Sequence, residues 1–279
     1  MRPLVTTAWL AERLGRPDLR VVDATWFMPG AERRGVDEFR KGHIPGAVFF
    51  DIDAIADREN PLPHMLPKPA AFAKAAGALG LTRGAGIVVY DGQGIFSAPR
   101  VWWSLRAMGF TDVAVLDGGL PAWRAEGRPI ETGNARPHYA GIEPRYDPDL
   151  VRDLDAVRSA LAQGSAQVLD ARPAARFRGE APEPRAGLRG GHMPGACSLP
   201  YADLIGADGR MKPKEDLAAA VERAGIDLER PVITTCGSGV SAAVLALALA
   251  LLGHQRAAVY DGSWTEWGGR PDTAVVTGE

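Results

Sequence analysis

Short apolar runs, rich in β-branched residues, recur along the chain and close on a polar residue or a glycine turn. Val21–Asp23, Ile87–Tyr90, Val113–Leu116, Val168–Asp170, Val232–Thr235 and Ala257–Tyr260 are of this kind. Runs of this length and composition predict strands. Longer stretches lie between them. Pro69–Leu79, with proline at an early position, and Lys214–Ala224 predict helices. The longest apolar run, Ala242 to Gly253, is about a dozen residues. It is too short to span a bilayer and suits a buried helix, which the pattern starts near Val240. Short strands alternating with helices predict an α/β fold, a mainly parallel sheet flanked by helices on both faces.

The pattern occurs twice. "GHIPGA" at 42–47 returns as "GHMPGA" at 191–196, "VVDA" at 21–24 as "VLDA" at 168–171, and "VAVLDGGLPAW" at 113–123 as "AAVYDGSWTEW" at 257–267. The offsets are 149, 147 and 144 residues, in unchanged order. A near-constant offset marks a duplicated domain. "IVVYDGQGIFSA" at 87–98 then falls against "VITTCGSGVSAA" at 232–243, so that Gly92 meets Gly237, Gly94 meets Gly239, and Asp91 meets Cys236. Only the second copy has the thiol. The polar stretch from about Glu131 to Asp149, rich in proline and glycine, reads as a connection. The expected division is a first domain over 1–132, a linker over 133–149 and a second domain over 150–279.

Composition narrows the function classes. The chain has 279 residues, 46% hydrophobic and 24% charged, as a globular protein does. A net charge of −2 gives no electrostatic case for nucleic acid or an anionic membrane as partner. Two cysteines cannot build a disulfide framework and fit a reducing compartment. The first residues lack the apolar core of a secretory signal, so a cytoplasmic location is expected. Five scattered histidines and two distant cysteines lack metal-ligand spacing.

Candidate chemistry centres on Cys236. In parallel sheets ligands bind beyond the carboxyl ends of strands, where this residue falls. The glycines let the loop curl its N–H groups inward, and the following helix adds its positive end; both favour thiolate over thiol. A cysteine that only packs as a small hydrophobe needs neither glycines nor loop. Phosphate-ester hydrolysis would need an arginine six residues on, where Ala242 stands. A Cys-x-x-Cys redox pair is absent because position 239 is Gly. Attack on a sulfur or carbon electrophile remains.

Residues along nearly the whole chain resemble those of tandem rhodanese-domain sulfurtransferases. They are "HIPGA", "PHMLP" at 63–67, "SAPRVWW" at 97–103, "LDGG" at 116–119, "RFRGEAPEPR" at 176–185 and "YDGSW" at 260–264. The "CGSGVS" loop resembles the branch that uses 3-mercaptopyruvate; members that use thiosulfate usually carry basic residues just after the cysteine, where this chain has Gly237 and Ser238. The resemblance implies two rhodanese-like domains, the first without a catalytic cysteine, and a site drawn from both. It implies that Cys236 forms a persulfide and that Ser238 lies beside the donor. Arg176 and Arg185 would hold the donor carboxylate, a task suited to a permanently charged planar fork. Asp53 and His64 would form a relay with Ser238. Gly237, Gly239, Val240 and Ser241 complete the substrate loop. Pro63 stands where the family often has Asp. No metal or organic cofactor is implied. The implied partners are a small-molecule sulfur donor and a thiol acceptor such as thioredoxin or a small thiol, with cyanide as a test-tube acceptor.

Other residues invite plainer readings. His43 and His192 precede Pro-Gly in both copies, so they suit a structural turn held by an imidazole hydrogen bond. Asp117 and Asp261 recur before glycine and suit loop or helix-start roles. Cys197 reads as a buried strand residue, Arg178 and Arg189 as surface charges, and the tryptophans as packing. Three rivals to the leading function stay open: a thiosulfate:cyanide sulfurtransferase, a persulfide carrier loaded by a partner protein, and a noncatalytic scaffold. A pure carrier has no need of a carboxylate clamp, and a scaffold has no need of an intact cysteine loop.

Overall fold

The computed structural model describes residues 1–278. The chain divides into two compact units. Unit 1 comprises residues 1–57, 66–147 and 206–211, and unit 2 comprises, among the described residues, 58–65, 148–205 and 212–278.

Unit 1 contains β1 (Leu4–Val5), α1 (Thr7–Ala11), β2 (Leu19–Asp23), α2 (Gly35–Lys41), β3 (Val48–Phe49), α3 (Pro69–Ala78), β4 (Gly86–Tyr90), α4 (Ala98–Ala107), β5 (Val113–Leu116) and α5 (Gly119–Ala125). Its five strands run in the order β1-β5-β4-β2-β3, with every ladder parallel. Alternate residues of a strand face opposite sides of a sheet. Val21, Val88, Tyr90, Ala114 and Leu116 pack with Leu10 of α1, Phe39 of α2, and Leu120 and Trp123 of α5. The intervening Ile87 and Val89 are equally buried, and α4 covers β4 and β5. Two covered faces explain why these strands read as unbroken apolar runs.

Unit 2 repeats the plan with β6 (Val151–Arg152), α6 (Leu154–Gln163), β7 (Gln167–Asp170), α7 (Ala174–Phe177), β8 (Cys197–Ser198), α8 (Lys214–Arg223), β9 (Val232–Thr235), α9 (Ala242–Leu251), β10 (Ala258–Tyr260) and α10 (Ser263–Trp267). The strand order β6-β10-β9-β7-β8 matches that of unit 1 position for position, again all parallel. Residues Ala242 to Ala250 of α9 are all buried, which accounts for its lack of a polar face. Among the described residues no helix is long and apolar enough to cross a membrane.

The polar connection is held by backbone bonds within unit 1. Glu131 exchanges two backbone hydrogen bonds with His43, and Ala140 and Asp147 donate to Gly77 and Ala107. Each Pro-Gly histidine stacks on a phenylalanine, His43 on Phe39 and His192 on Phe177, with ring centroids 3.8 and 3.7 Å apart. The Nδ1 of each contacts the carbonyl of the same phenylalanine, at 2.8 and 2.9 Å. Arg189 is not the surface charge expected of it. It donates to the carbonyls of Trp267, Gly268, Arg270 and Thr273, closing the C-terminal end of α10, where backbone acceptors lack intrahelical partners. Arg178 does lie outside, paired with Glu180.

Candidate active site

Cys236 follows β9 directly, and α9 begins at Ala242, two residues later than the apolar pattern suggested. The loop between is tightly held. Gly239 has φ +81°, a left-handed conformation that glycine adopts without strain. Its N–H donates to the Cys236 sulfur at 3.1 Å. Cys236 and Ser238 are buried, at 2% and 5% exposure. Helix α10 anchors the other side: Trp264 N–H donates to the Cys236 carbonyl at 2.9 Å, and Thr265 donates to the Gly237 carbonyl from N–H at 2.9 Å and from its hydroxyl at 2.7 Å. The first-turn donors of α10, which lack intrahelical acceptors, are thereby used to fix the loop.

Ser263 supplies a third anchor that sequence reasoning missed. Its hydroxyl donates to the Tyr260 carbonyl at 2.8 Å and accepts from the Cys236 N–H at 3.3 Å. Ser263 has φ +49°; His64, at +63°, is the other non-glycine residue with positive φ among those described. The twin of Ser263 in unit 1 is Gly119, at φ +53°. A serine in place of that glycine was the available signal.

The loop of unit 1 shows what this loop shape holds. Asp91 stands in the place of Cys236, and its carboxylate accepts from the N–H groups of Gln93, Phe96, Ser97 and Ala98, at 2.8 to 2.9 Å. A negative charge fills a nest of amides at the start of α4. By the repeat offset, the matching positions in unit 2 are Ser238, Ser241, Ala242 and Ala243.

Arg176, on the short helix α7, lies beside the cysteine loop. A Cβ at Gly237 would come within 3.2 Å of its Nη2 atom, so glycine permits the close approach. Arg176 pairs with Glu183 through Nε at 3.2 Å and through a second, shorter contact from Nη2. Glu183 also accepts from Arg172 Nη1 at 2.8 Å. Arg172 in turn grips Asp170 with Nε and Nη2, at 2.9 and 2.7 Å, donates to the Gly191 carbonyl, and lies 4.1 Å above the Trp264 ring. Burial by itself would lower the pKa of Arg172, but the charge and hydrogen bonds of Asp170, then those of Glu183, raise it above the usual value. Sequence reasoning passed over Asp170, Arg172 and Glu183.

Arg185 Nη2 lies 3.5 Å from His64 Nε2. Because a guanidinium only donates, the imidazole nitrogen is the acceptor in that contact. Both belong to unit 2, since residues 58–65 group with it. Asp53 belongs to unit 1, where its carboxylate accepts from the Trp26 indole N–H at 2.9 Å. Val240 is buried, and Ser241 stands at the N-cap position of α9 without a side-chain capping hydrogen bond. Cys197 is half-buried in β8, in register with Leu169, and burial pushes its thiol pKa up. Among the described residues, no group of three or more His, Cys, Asp or Glu side chains could hold a metal ion.

Two matched parallel-sheet units with a cysteine loop at a strand's carboxyl end define a tandem rhodanese architecture. The rhodanese-like domain family matches at residues 6–126 and 153–270, and the chain belongs to that family. It is 44% identical to the 3-mercaptopyruvate sulfurtransferase of Escherichia coli strain K12, over 96% of this chain and 95% of that one. It is 42% identical to the thiosulfate sulfurtransferase of Bos taurus, over 100% of this chain and 96% of the relative. Its fold is similar to the crystal structure of SseA from Escherichia coli, with a TM-score of 0.87 and 41% identity, covering 95% of this chain and 99% of that one.

Proposed function

We propose that this protein is a 3-mercaptopyruvate sulfurtransferase with Cys236 as its nucleophile. The Cys236 thiolate attacks the sulfur of 3-mercaptopyruvate. The carbon–sulfur bond breaks, its electron pair stays on carbon, and the resulting enolate takes a proton to become pyruvate. Cys236 then carries a persulfide. A second thiol attacks the outer sulfur, leaves as a persulfide itself and restores the Cys236 thiolate; cyanide serves as acceptor in the test tube. The observation that carries this reading is the Cys236 sulfur receiving an amide N–H in a loop whose twin holds a carboxylate by four such amides. Such amides stabilise negative charge on sulfur.

Arg176 and Arg185 hold the donor carboxylate, and Gly237, Gly239, Val240 and Ser241 shape the loop around it. Ser238 passes the proton to the enolate, with His64 and Asp53 behind it in a relay. A cytoplasmic setting suits two free thiols, and thioredoxin or a small thiol suits the acceptor role. The thiosulfate reading has a specific observation behind it, the bovine relative. The neutral Gly237–Ser238 pair favours mercaptopyruvate, since a dianion would gain from basic residues there. Intact-protein mass after brief exposure to each donor tests the assignment. Gain of one sulfur atom is expected faster from mercaptopyruvate and not at all in Cys236→Ser. Faster loading from thiosulfate would move the chain to the thiosulfate branch.

A further inference from the structure

Asp170, Arg172, Glu183 and Arg176 form a line of alternating charge that runs from the end of β7 to the cysteine loop. The side chains of the first three are each about 1% exposed, and that of Arg176 is 17% exposed. Burying ions is costly unless each is paired and hydrogen-bonded, so a fold does not acquire such a line without a compensating use. The duplicated unit shows that the fold can do without it. Asp23 takes the place of Asp170, and Thr25 the place of Arg172. There the aspartate accepts from the Thr25 N–H, and no arginine follows it. Where Tyr90 closes the sheet end in unit 1, unit 2 has the smaller Thr235. The charged line therefore accompanies the nucleophile rather than the architecture.

Its geometry says what it does. A guanidinium has five N–H donors on a rigid plane. Glu183 takes the Nε and Nη2 edge of Arg176. The outer edge, made by Nη1 and the remaining Nη2 hydrogen, stays geometrically available as a fork for a carboxylate. Glu183 is itself pinned by Arg172, which is pinned by Asp170, by the Gly191 carbonyl and by the ring of Trp264. Trp264 also holds the Cys236 carbonyl. The cysteine loop and the Arg176 plane are thus referenced to one scaffold.

We infer that Glu183 is a positioning residue: it orients Arg176 so that the outer edge of the guanidinium receives the donor carboxylate, and Arg172 fixes Glu183 for that purpose. The inference rests on the function proposed above and adds residues to it. Only the donor half-reaction needs a carboxylate clamp, so only that half should suffer when Glu183 is changed.

The test compares Glu183→Gln with wild type in two reactions, sulfur loading from 3-mercaptopyruvate followed by mass, and alkylation of Cys236 by uncharged iodoacetamide. Loading is expected to slow at least tenfold, mainly through a higher KM, with alkylation within twofold of wild type. In an Arg176→Gln background the same substitution should change loading less than twofold, because residues acting through one another are not additive. That double variant lacks the isolated Arg176–Glu183 charge imbalance and keeps the test usable should the single variant fold poorly. Equal loading by wild type and Glu183→Gln overturns the inference and leaves the donor assignment standing. An equal fall in loading and alkylation also overturns it, since Glu183 would then act on the loop itself. Wild-type protein that takes no sulfur from mercaptopyruvate overturns the donor assignment, and the inference with it.

Discussion

Replacing Ser263 separates backbone strain from the anchoring of the Cys236 loop. The residue is fully buried, sits at φ +49° and accepts the Cys236 N–H. A left-handed conformation costs a non-glycine residue roughly 1–2 kcal/mol. A buried N–H deprived of its acceptor costs about 1–3 kcal/mol. Ser263→Ala keeps the strain and loses the acceptor, so it should destabilise unit 2 by about 1–3 kcal/mol. Ser263→Gly loses the same acceptor but relieves the strain, offset by roughly 0.5–1 kcal/mol of extra chain entropy. The glycine variant should therefore be the more stable of the two by about 1 kcal/mol. For a unit of this size that corresponds to about 4 °C in Tm, readable by calorimetry. Both variants free the Cys236 N–H, so, on the function proposed above, both should load sulfur from mercaptopyruvate about tenfold more slowly, and equally so. An alanine variant as stable as the glycine one would refute the strain argument. Loading at the wild-type rate in either would refute the anchor.

Ser238→Ala should lower kcat for mercaptopyruvate while leaving iodoacetamide alkylation of Cys236 near the wild-type rate; unchanged mercaptopyruvate turnover would sink the proton relay. Asp23 gives a pH-dependent prediction. Burial pushes its carboxyl up to about 6, partly offset by hydrogen bonds from Thr25. A raised acid pKa means that the folded state holds the proton more tightly. Its contribution is then most favourable below the unfolded value near 4 and falls away as pH rises through 6. At about 1.4 kcal/mol per unit, the charged form costs roughly 3 kcal/mol at neutral pH. Asp23→Asn should accordingly raise Tm at pH 7.5 and raise it progressively less as pH drops toward 4. An equal gain at both ends would count against the shift.

The repeat was legible because its strands are buried on both faces and announce themselves as apolar runs. β5 and β9 appear with the bounds the pattern predicted, while the two-residue edge strands β1, β3, β6 and β8 leave too short a signal. Cys236 was legible because its twin is a different residue in the same frame. The supporting groups were harder to see for a physical reason. Arg172 and Ser263 reach partners far along the chain, Trp264 and Cys236, and a run such as "RPAARFRGEAPEPRAGLRG" looks like a solvated charged loop until folding buries Arg172, Phe177 and the Glu183 carboxylate within it. Arg189 was misread on the same ground, its charge spent on the carbonyls ending α10 rather than on water.

Asp91 carries a consequence for stoichiometry. Its carboxylate is a tethered counter-ion that saturates the amide nest of unit 1 at any concentration of small anions. On the function proposed above, the duplication doubles the scaffold without doubling the reactive equivalents: one sulfur per chain per turnover, since only unit 2 sets a thiol where unit 1 sets a tethered charge.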